Sequence, residues 1–303
     1  MDRVAKPLRE MGATVELTGG GLPMSIDGGP LRSIRWRSPQ ASAQVKGAVL
    51  LAATAGRVEA IFEEPALSRD HTERMLRSMG ASVVSTGTQV HLRSVDALCP
   101  LDIYVPGDPS SAAYFVALAL LSRAMTIVVS DVCLNATRIG FLNVLERMGA
   151  RVATEVERVV AGEEVGSVKA SPSTLAGTRI AESEVPSTID ELPLIACIAA
   201  RAEGETLITG AGELRVKESD RLAAVAANLR AIGVSADELT DGIRVRGVTH
   251  PLRGHVRTHG DHRLAMGFGV LAALPRNEIV IDDRDCVAVS YPDFWKDLRR
   301  VAS

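Results

Sequence analysis

The chain has 303 residues, 46% apolar and 23% charged, a globular composition long enough for two domains with separate cores. A net charge of −3 and an aromatic content of 3% exclude the broad basic surface and the stacking platforms of a nucleic-acid binder, so any anion site must be a local cluster. Cys99, Cys133, Cys197 and Cys286 form no CxxC pair, which argues against a zinc or redox motif and fits a reducing, cytoplasmic setting. The N-terminus carries no apolar signal core, and the longest apolar runs fall far short of the ~20 residues of a membrane helix, so a soluble chain is expected.

The first element, PLREMGATVEL, is a helix end, a glycine and a β-prone run, and it starts almost at Met1. The phrase returns as MLRSMGASVV, VLERMGARVA and NLRAIGVSA, placing Gly12, Gly80, Gly149 and Gly233 at one position. At that position glycine lets the chain leave the helix through a left-handed conformation before entering a sheet. Polar helix starts stand upstream of the later copies, in SRDHTERML, NATRIGFLNVL and KESDRLAAVA, with Ser, Asp and Asn at N-cap positions. Four occurrences predict a module of strands and helix repeated along the chain. The first copy has no strands before its helix, and half a module cannot bury its apolar face. The expectation is a chain lacking its N-terminal portion.

Next comes SPQASAQVKGAVLLAA (38–53), a small-residue turn entering an apolar helix, with Ser42 as N-cap and Gln44 on the surface. At VPGDPSSAAYFVALALL a turn, capping residues and an apolar helix open a new domain, so domains of 1–104 and 105–303 are expected. The stretch VPSTIDELPLIACIAA (185–200) puts Asp190 and Glu191 at the head of an apolar helix. In LRVKESDRL (214–222), Lys217 and Arg221 are read as four apart on one helix face, able to bracket a phosphate or carboxylate. A solvated face pairing them with Glu218 or Asp220 fits the composition equally well. THGDHRLAM (258–266) repeats the arrangement with Asp261, His262 and Arg263, and SYPDFWKDLRRVAS closes the chain as a fifth helix. Four of these stretches place polar side chains at helix N-termini, whose free N–H groups and partial positive charge suit anions.

The motifs SAQVK, SRDHTERML, VPGDPSSAA, STIDELP, RVKESDRL, DHRLAM and SYPDFW, in that order, resemble the EPSP synthase (3-phosphoshikimate 1-carboxyvinyltransferase) family over the whole chain. The likeness is closest to its bacterial subgroup noted for glyphosate-tolerant members. It implies a mixed α/β fold, the inverse α/β prism of enolpyruvyl transferases. Each of its two domains comprises three βαβαββ units with helices inside and sheets outside, and here the first domain would be incomplete. The implied reaction moves the enolpyruvyl group of phosphoenolpyruvate to the 5-hydroxyl of shikimate 3-phosphate, with no metal or organic cofactor, in a monomer whose partners are these two small molecules, not nucleic acid or membrane.

By the same resemblance, Ser42, Ala43, Gln44 and Arg69 bind shikimate 3-phosphate, with Ala43 standing where many relatives have a second Ser. Asp190 accepts the proton of the 5-hydroxyl, Lys217 contacts both substrates, Glu218 is an acid/base at the reacting carbon, and His262 assists. Gln44, Arg221 and Arg263 hold phosphoenolpyruvate, and Asp261 orients its neighbours. Glu191 receives no role. Val289 stands where many relatives carry a lysine, so the resemblance implies no cationic contact at that position. The family's N-terminal lysine motif has no counterpart, so weak or absent turnover is expected of the chain alone. Two other readings stay open: a UDP-N-acetylglucosamine enolpyruvyl transferase, which shares the fold but not the RVKESDR and DHR motifs, and a non-catalytic remnant, against which the intact charged set argues.

Overall fold

A computed structural model describes residues 1–302, so Ser303, the last residue of the closing stretch, lies outside the described residues. The chain divides into two compact units, residues 1–105 with 159–163, and residues 106–158 with 164–303. The first unit opens with α1 (Asp2–Glu10) and the hairpin β1 (Thr14–Thr18) and β2 (Gly21–Asp27). One complete module follows: β3 (Ile34–Arg37), α2 (Ala43–Gly56), β4 (Ala60–Glu63), α3 (His71–Ser78), β5 (Val83–Thr86) and β6 (Gln89–Leu92). Its sheet runs in the order β3-β4-β6-β5, with β3 and β4 parallel and the other pairs antiparallel.

The second unit repeats this plan. A parallel bridge from Gly107 to Val132 stands in for a first strand, followed by α4 (Pro109–Leu121), β7 (Ile127–Cys133), α5 (Gly140–Arg147), β8 (Arg151–Val160) and β9 (Glu163–Ser171), with strand order β7-β9-β8. The next module is β10 (Arg179–Ile180), the short α6 (Val185–Thr188), α7 (Leu192–Ala199), β11 (Glu205–Ile208), α8 (Arg221–Ala231), β12 (Ser235–Leu239) and β13 (Gly242–Arg246). Its order, β10-β11-β13-β12, and its pattern of parallel and antiparallel pairs match the sheet of the first unit. The chain finishes with β14 (Arg253–Val256), α9 (His262–Ala273), its parallel partner β15 (Glu278–Ile281) and α10 (Phe294–Ala302).

The repeated phrase has one physical cause. Gly12, Gly80, Gly149 and Gly233 all have positive φ, between 89° and 106°. In each copy the glycine N–H returns to the carbonyl three residues back, and the next residue bonds a leucine carbonyl, of Leu8, Leu76, Leu145 or Leu229. This is the Schellman closure, which satisfies carbonyls the helix leaves open. In three copies an arginine of the last turn also reaches the entering strand: Arg9 to Val15, Arg77 to Val83 and Arg230 to Ala236, at 2.9, 2.9 and 2.8 Å.

Helices α4, α7 and α9 are apolar around most of their circumference, and such a helix is stable only when buried on all sides. All eight residues of α7 are buried, and the three helices belong to one hydrophobic core in the second unit. The first unit has its own core around Val49, Leu50, Phe62 and Leu92. Burying the apolar helix bodies leaves the polar residues at their starts as the places where charge collects.

Two of the expected caps differ. Asn135 does not cap α5, which starts five residues later; its Oδ1 accepts from the Thr137 amide at 2.9 Å in a local turn. Asp70 precedes α3 but makes no cap hydrogen bond there, because its carboxylate takes the Arg74 Nε at 2.8 Å. Asp108, Asp220 and Asp261 do cap, accepting helix amides at the starts of α4, α8 and α9.

A methyl group at Gly233 would force φ of +91° on an L-residue and lie 3.3 Å from the His250 ring. Gly233→Ala is expected to cost about 1–2 kcal/mol, read as a lowered midpoint of denaturant unfolding. An unchanged midpoint would remove the closure as the reason for the repeat.

Candidate active site

In the second unit the starts of α7, α8 and α9 bring four acids and two arginines together. Arg221 is the first residue of α8, and its side chain is 1% exposed. Its Nε donates to Asp261 Oδ2 at 2.8 Å, its Nη2 to Glu218 Oε2 at 2.6 Å, and its Nη1 lies 3.9 Å from Asp190 Oδ1. Asp261 is fully buried and also accepts from the Arg263 amide at 3.0 Å and the Ser219 hydroxyl at 3.0 Å. Burial alone would push its carboxyl up. The hydrogen bonds and charge of Arg221, with the Arg263 amide and Ser219, outweigh that and hold it below the usual carboxylate range.

Arg263 turns to the other side of Asp190, with Nη2 3.5 Å from Asp190 Oδ2 and Nη1 donating to the Asp190 carbonyl at 3.1 Å. Two guanidinium groups therefore face one carboxylate. Glu218 is the exposed member of the set, its side chain half open to solvent. Among the described residues the side chains of Lys217 and His262 make no hydrogen bond or ion pair. Burial, then the charge of Arg263, lowers His262, so its ring is neutral at neutral pH.

Behind Asp190 lies a second group. Glu191 Oε1 accepts from Ser110 Oγ at 2.5 Å and stands 3.8 Å from Arg263 Nη1, while Oε2 is buried without a hydrogen-bond partner. Ser110 in turn accepts from Arg138 Nη2 at 3.0 Å, and Arg138 also holds Asp108 at 2.6 Å. Desolvation pushes the Glu191 carboxyl up to about 7, against the lowering effect of Arg263 and Ser110.

In the first unit Ser42 caps α2, its Oγ accepting from the Val45 amide at 3.4 Å, and Ala43 and Gln44 form the first turn. Lys46, one turn further, is fully buried, with its Nζ 2.9 Å from Glu64 and 2.8 Å from Glu73. Its third contact is the Ser68 carbonyl at 3.4 Å. Lys46 thus ties the start of α2 to the loop that carries Arg69.

The helix face expected for Lys217 and Arg221 does not exist. A short 3-10 turn ends at Val216, Lys217 has extended backbone, and α8 begins only at Arg221, because Asp220 spends its carboxylate on the Ala223 amide. Arg221 is directed into the protein by Asp261, whereas Lys217 stays unpaired outside the helix. Sequence reading also passed over Lys46, Ser110, Arg138 and any role for Glu191. A lysine within the apolar run VKGAVLLAA was a signal for Lys46; Ser110 and Arg138 offered none, since their link to Glu191 spans long stretches of chain.

The model of the EPSP synthase (3-phosphoshikimate 1-carboxyvinyltransferase) family matches residues 1–298. The chain belongs to the EPSP synthase family. It is 46% identical to the 3-phosphoshikimate 1-carboxyvinyltransferase of Sulfurihydrogenibium sp. (strain YO3AOP1), an alignment covering 100% of this chain and 72% of that relative. With the enzyme of the same name from Aquifex aeolicus (strain VF5) it is 43% identical, over 99% of this chain and 72% of the relative. The solved EPSP synthase of Acinetobacter baumannii superposes with a TM-score of 0.87 at 40% identity, covering 99% of this chain and 70% of that one. The enolpyruvyl transferase NikO of Streptomyces tendae superposes at 0.74 with 18% identity, which shows the shared fold. Within this EPSP synthase family fold, the mixed α/β architecture read from the sequence stands.

Two consequences are measurable. Asp261→Ala strands the buried Arg221 charge and removes the α9 cap, so a loss of about 3–5 kcal/mol in unfolding free energy is expected; a loss below about 1 kcal/mol would show the pair to be dispensable. Glu191 has a folded value near 7 against 4.5 unfolded, so the folded state holds the extra proton between them. Stability on its account falls as pH rises through that window. Glu191→Gln should therefore gain on the wild type by roughly 3 kcal/mol between about pH 5 and pH 8, read from paired thermal or urea melts.

Proposed function

We propose that this chain transfers the enolpyruvyl group of phosphoenolpyruvate to the 5-hydroxyl of shikimate 3-phosphate, giving 5-enolpyruvylshikimate 3-phosphate and inorganic phosphate. The observation that carries the reading is Asp190, held between the guanidinium groups of Arg221 and Arg263, in a chain that aligns along its length with 3-phosphoshikimate 1-carboxyvinyltransferases. The same alignment favours shikimate 3-phosphate over a nucleotide sugar as acceptor.

In this reading Asp190 takes the proton of the 5-hydroxyl as its oxygen bonds the central carbon of phosphoenolpyruvate. A proton is added to the methylene carbon, giving a tetrahedral ketal. Loss of a proton from the methyl group with departure of phosphate then restores the double bond. Arg263 and Arg221 hold the phosphoenolpyruvate anion, for which a planar guanidinium fork is suited. Arg221 already spends donors on Asp261 and Glu218, so Arg263 and the unpaired Lys217 are the more available cations. Glu218, exposed at the rim of the cluster, and Lys217 serve the proton transfers at the reacting carbon, and neutral His262 supports them through hydrogen bonding. On the first unit, Ser42, Ala43 and Gln44 at the α2 start and Arg69 on the adjoining loop bind shikimate 3-phosphate, Ser42 at its phosphate and Gln44 against its ring. The reading extends to a cytoplasmic monomer, and to the glyphosate-tolerant bacterial subgroup, the last supported by Ala43 and by an exposed Val289 in place of a lysine.

The test is phosphate release with both substrates, each omitted in turn. Release that requires shikimate 3-phosphate and falls by about 10²–10³ in Lys217→Ala is expected. Release indifferent to shikimate 3-phosphate, or supported better by UDP-N-acetylglucosamine, would overturn the assignment.

A further inference from the structure

Glu191 has no part in the chemistry above, yet its carboxylate joins three helix starts. It immediately precedes α7, receives Ser110 from α4 and faces Arg263 from α9. The charges around it come from every side: Arg263 and Asp261 on α9, Asp190 beside it, Arg221 on α8, and Arg138 with its partner Asp108 across Ser110. The Tyr114 phenol of α4 and the His262 ring of α9 complete the set, and both are neutral at neutral pH, Tyr114 because burial raises it. Arg138 and Asp108 offset one another. With every acid ionised, Asp190, Glu191, Glu218 and Asp261 outnumber Arg221, Arg263 and Lys217, so the cluster keeps a net negative charge that opposes an incoming anion. One acid in the set has a buried oxygen with no hydrogen-bond partner, Oε2 of Glu191.

We propose that Glu191 is the proton-linked counter-ion of Arg263: a small anion pairing with Arg263 takes over its charge partnership, and Glu191 Oε2 takes up one proton from solvent as the anion binds. The proton returns to solvent when the anion leaves. The inference rests on the reading of Arg263 as an anion clamp. Its energetic basis is that a carboxyl without solvent is charged only while a cation compensates it, and an anion on Arg263 removes that compensation. The value near 7 places the exchange in the neutral range. Glu191 acts through Arg263 and is a positioning residue.

Sulfate is the probe, because unlike phosphate or phosphoenolpyruvate it does not itself titrate near neutral pH. Calorimetry on the whole chain should show sulfate binding that weakens at least about tenfold from pH 6 to pH 8.5, since each linked proton changes log Kd by up to about one per pH unit. In two buffers of different ionisation enthalpy near pH 7.5, wild type should take up about one proton more per sulfate than Glu191→Gln. Glu191→Gln should bind at pH 8.5 as tightly as wild type at pH 6. Arg263→Gln should lose binding. If Arg263→Gln binds sulfate unchanged, the clamp reading fails and the inference falls with it. If binding needs Arg263 but shows neither pH slope nor proton uptake, the clamp stands and the role of Glu191 is overturned. Should Glu191→Gln fail to fold, the buffer dependence of the wild type decides by itself: about one proton supports the linkage, and none removes it.

Discussion

The contact between Arg221 and Asp261 is the interaction on which the second unit's charged site depends. Both side chains are out of water, and two buried ions are tolerable only when each satisfies the other with good geometry and further hydrogen bonds. Here Asp261 spends its remaining capacity on the Arg263 amide and Ser219, and Arg221 spends its own on Glu218. One ion pair therefore fixes the starts of α8 and α9, and through Arg221 and Arg263 it fixes the surroundings of Asp190 at the head of α7.

The first unit answers the same constraint with different residues. Lys46 stands inside an apolar helix and is held by Glu64 and Glu73. Two carboxylates share one ammonium, and the cluster binds the α2 start to the loop of Ser68 and Arg69. In both units the body of the helix is apolar and buried, and the ionic crosslink lies at its start, where amides and the helix dipole favour negative charge. The repeated module thus yields repeated candidate anion sites.

Much of this was legible. The glycine phrase foretold a chain reversal with positive φ, and all four glycines have it, because the constraint is local and only glycine meets it without strain. Asp190, Glu191, Asp261 and Arg263 could be placed at helix starts from neighbouring residues alone. The face proposed for Lys217 and Arg221 was wrong, since periodicity cannot tell a helix from an extended residue followed by a cap. Asn135 was misread as a cap, and Asp70 holds the cap position of α3 without a cap hydrogen bond, for a related reason: their oxygens had nearer partners, in Thr137 and Arg74.

What the sequence determined by itself was the repeat, its turns, the apolar helices and the family to which the motifs point. These follow from interactions within a few residues or from a strict order of motifs. Tertiary structure alone decided which charges are buried and which partner each one takes. Arg221 and Lys217 look alike in LRVKESDRL, yet one is sealed against Asp261, forty residues away in the chain, and the other is left unpaired. Likewise Glu191 became a titratable group near neutrality because packing removed water from it, while Arg263 and Ser110, brought against it from distant helices, pull its carboxyl back down. Desolvation and long-range pairing depend on the packed arrangement, and no local pattern of residues encodes them.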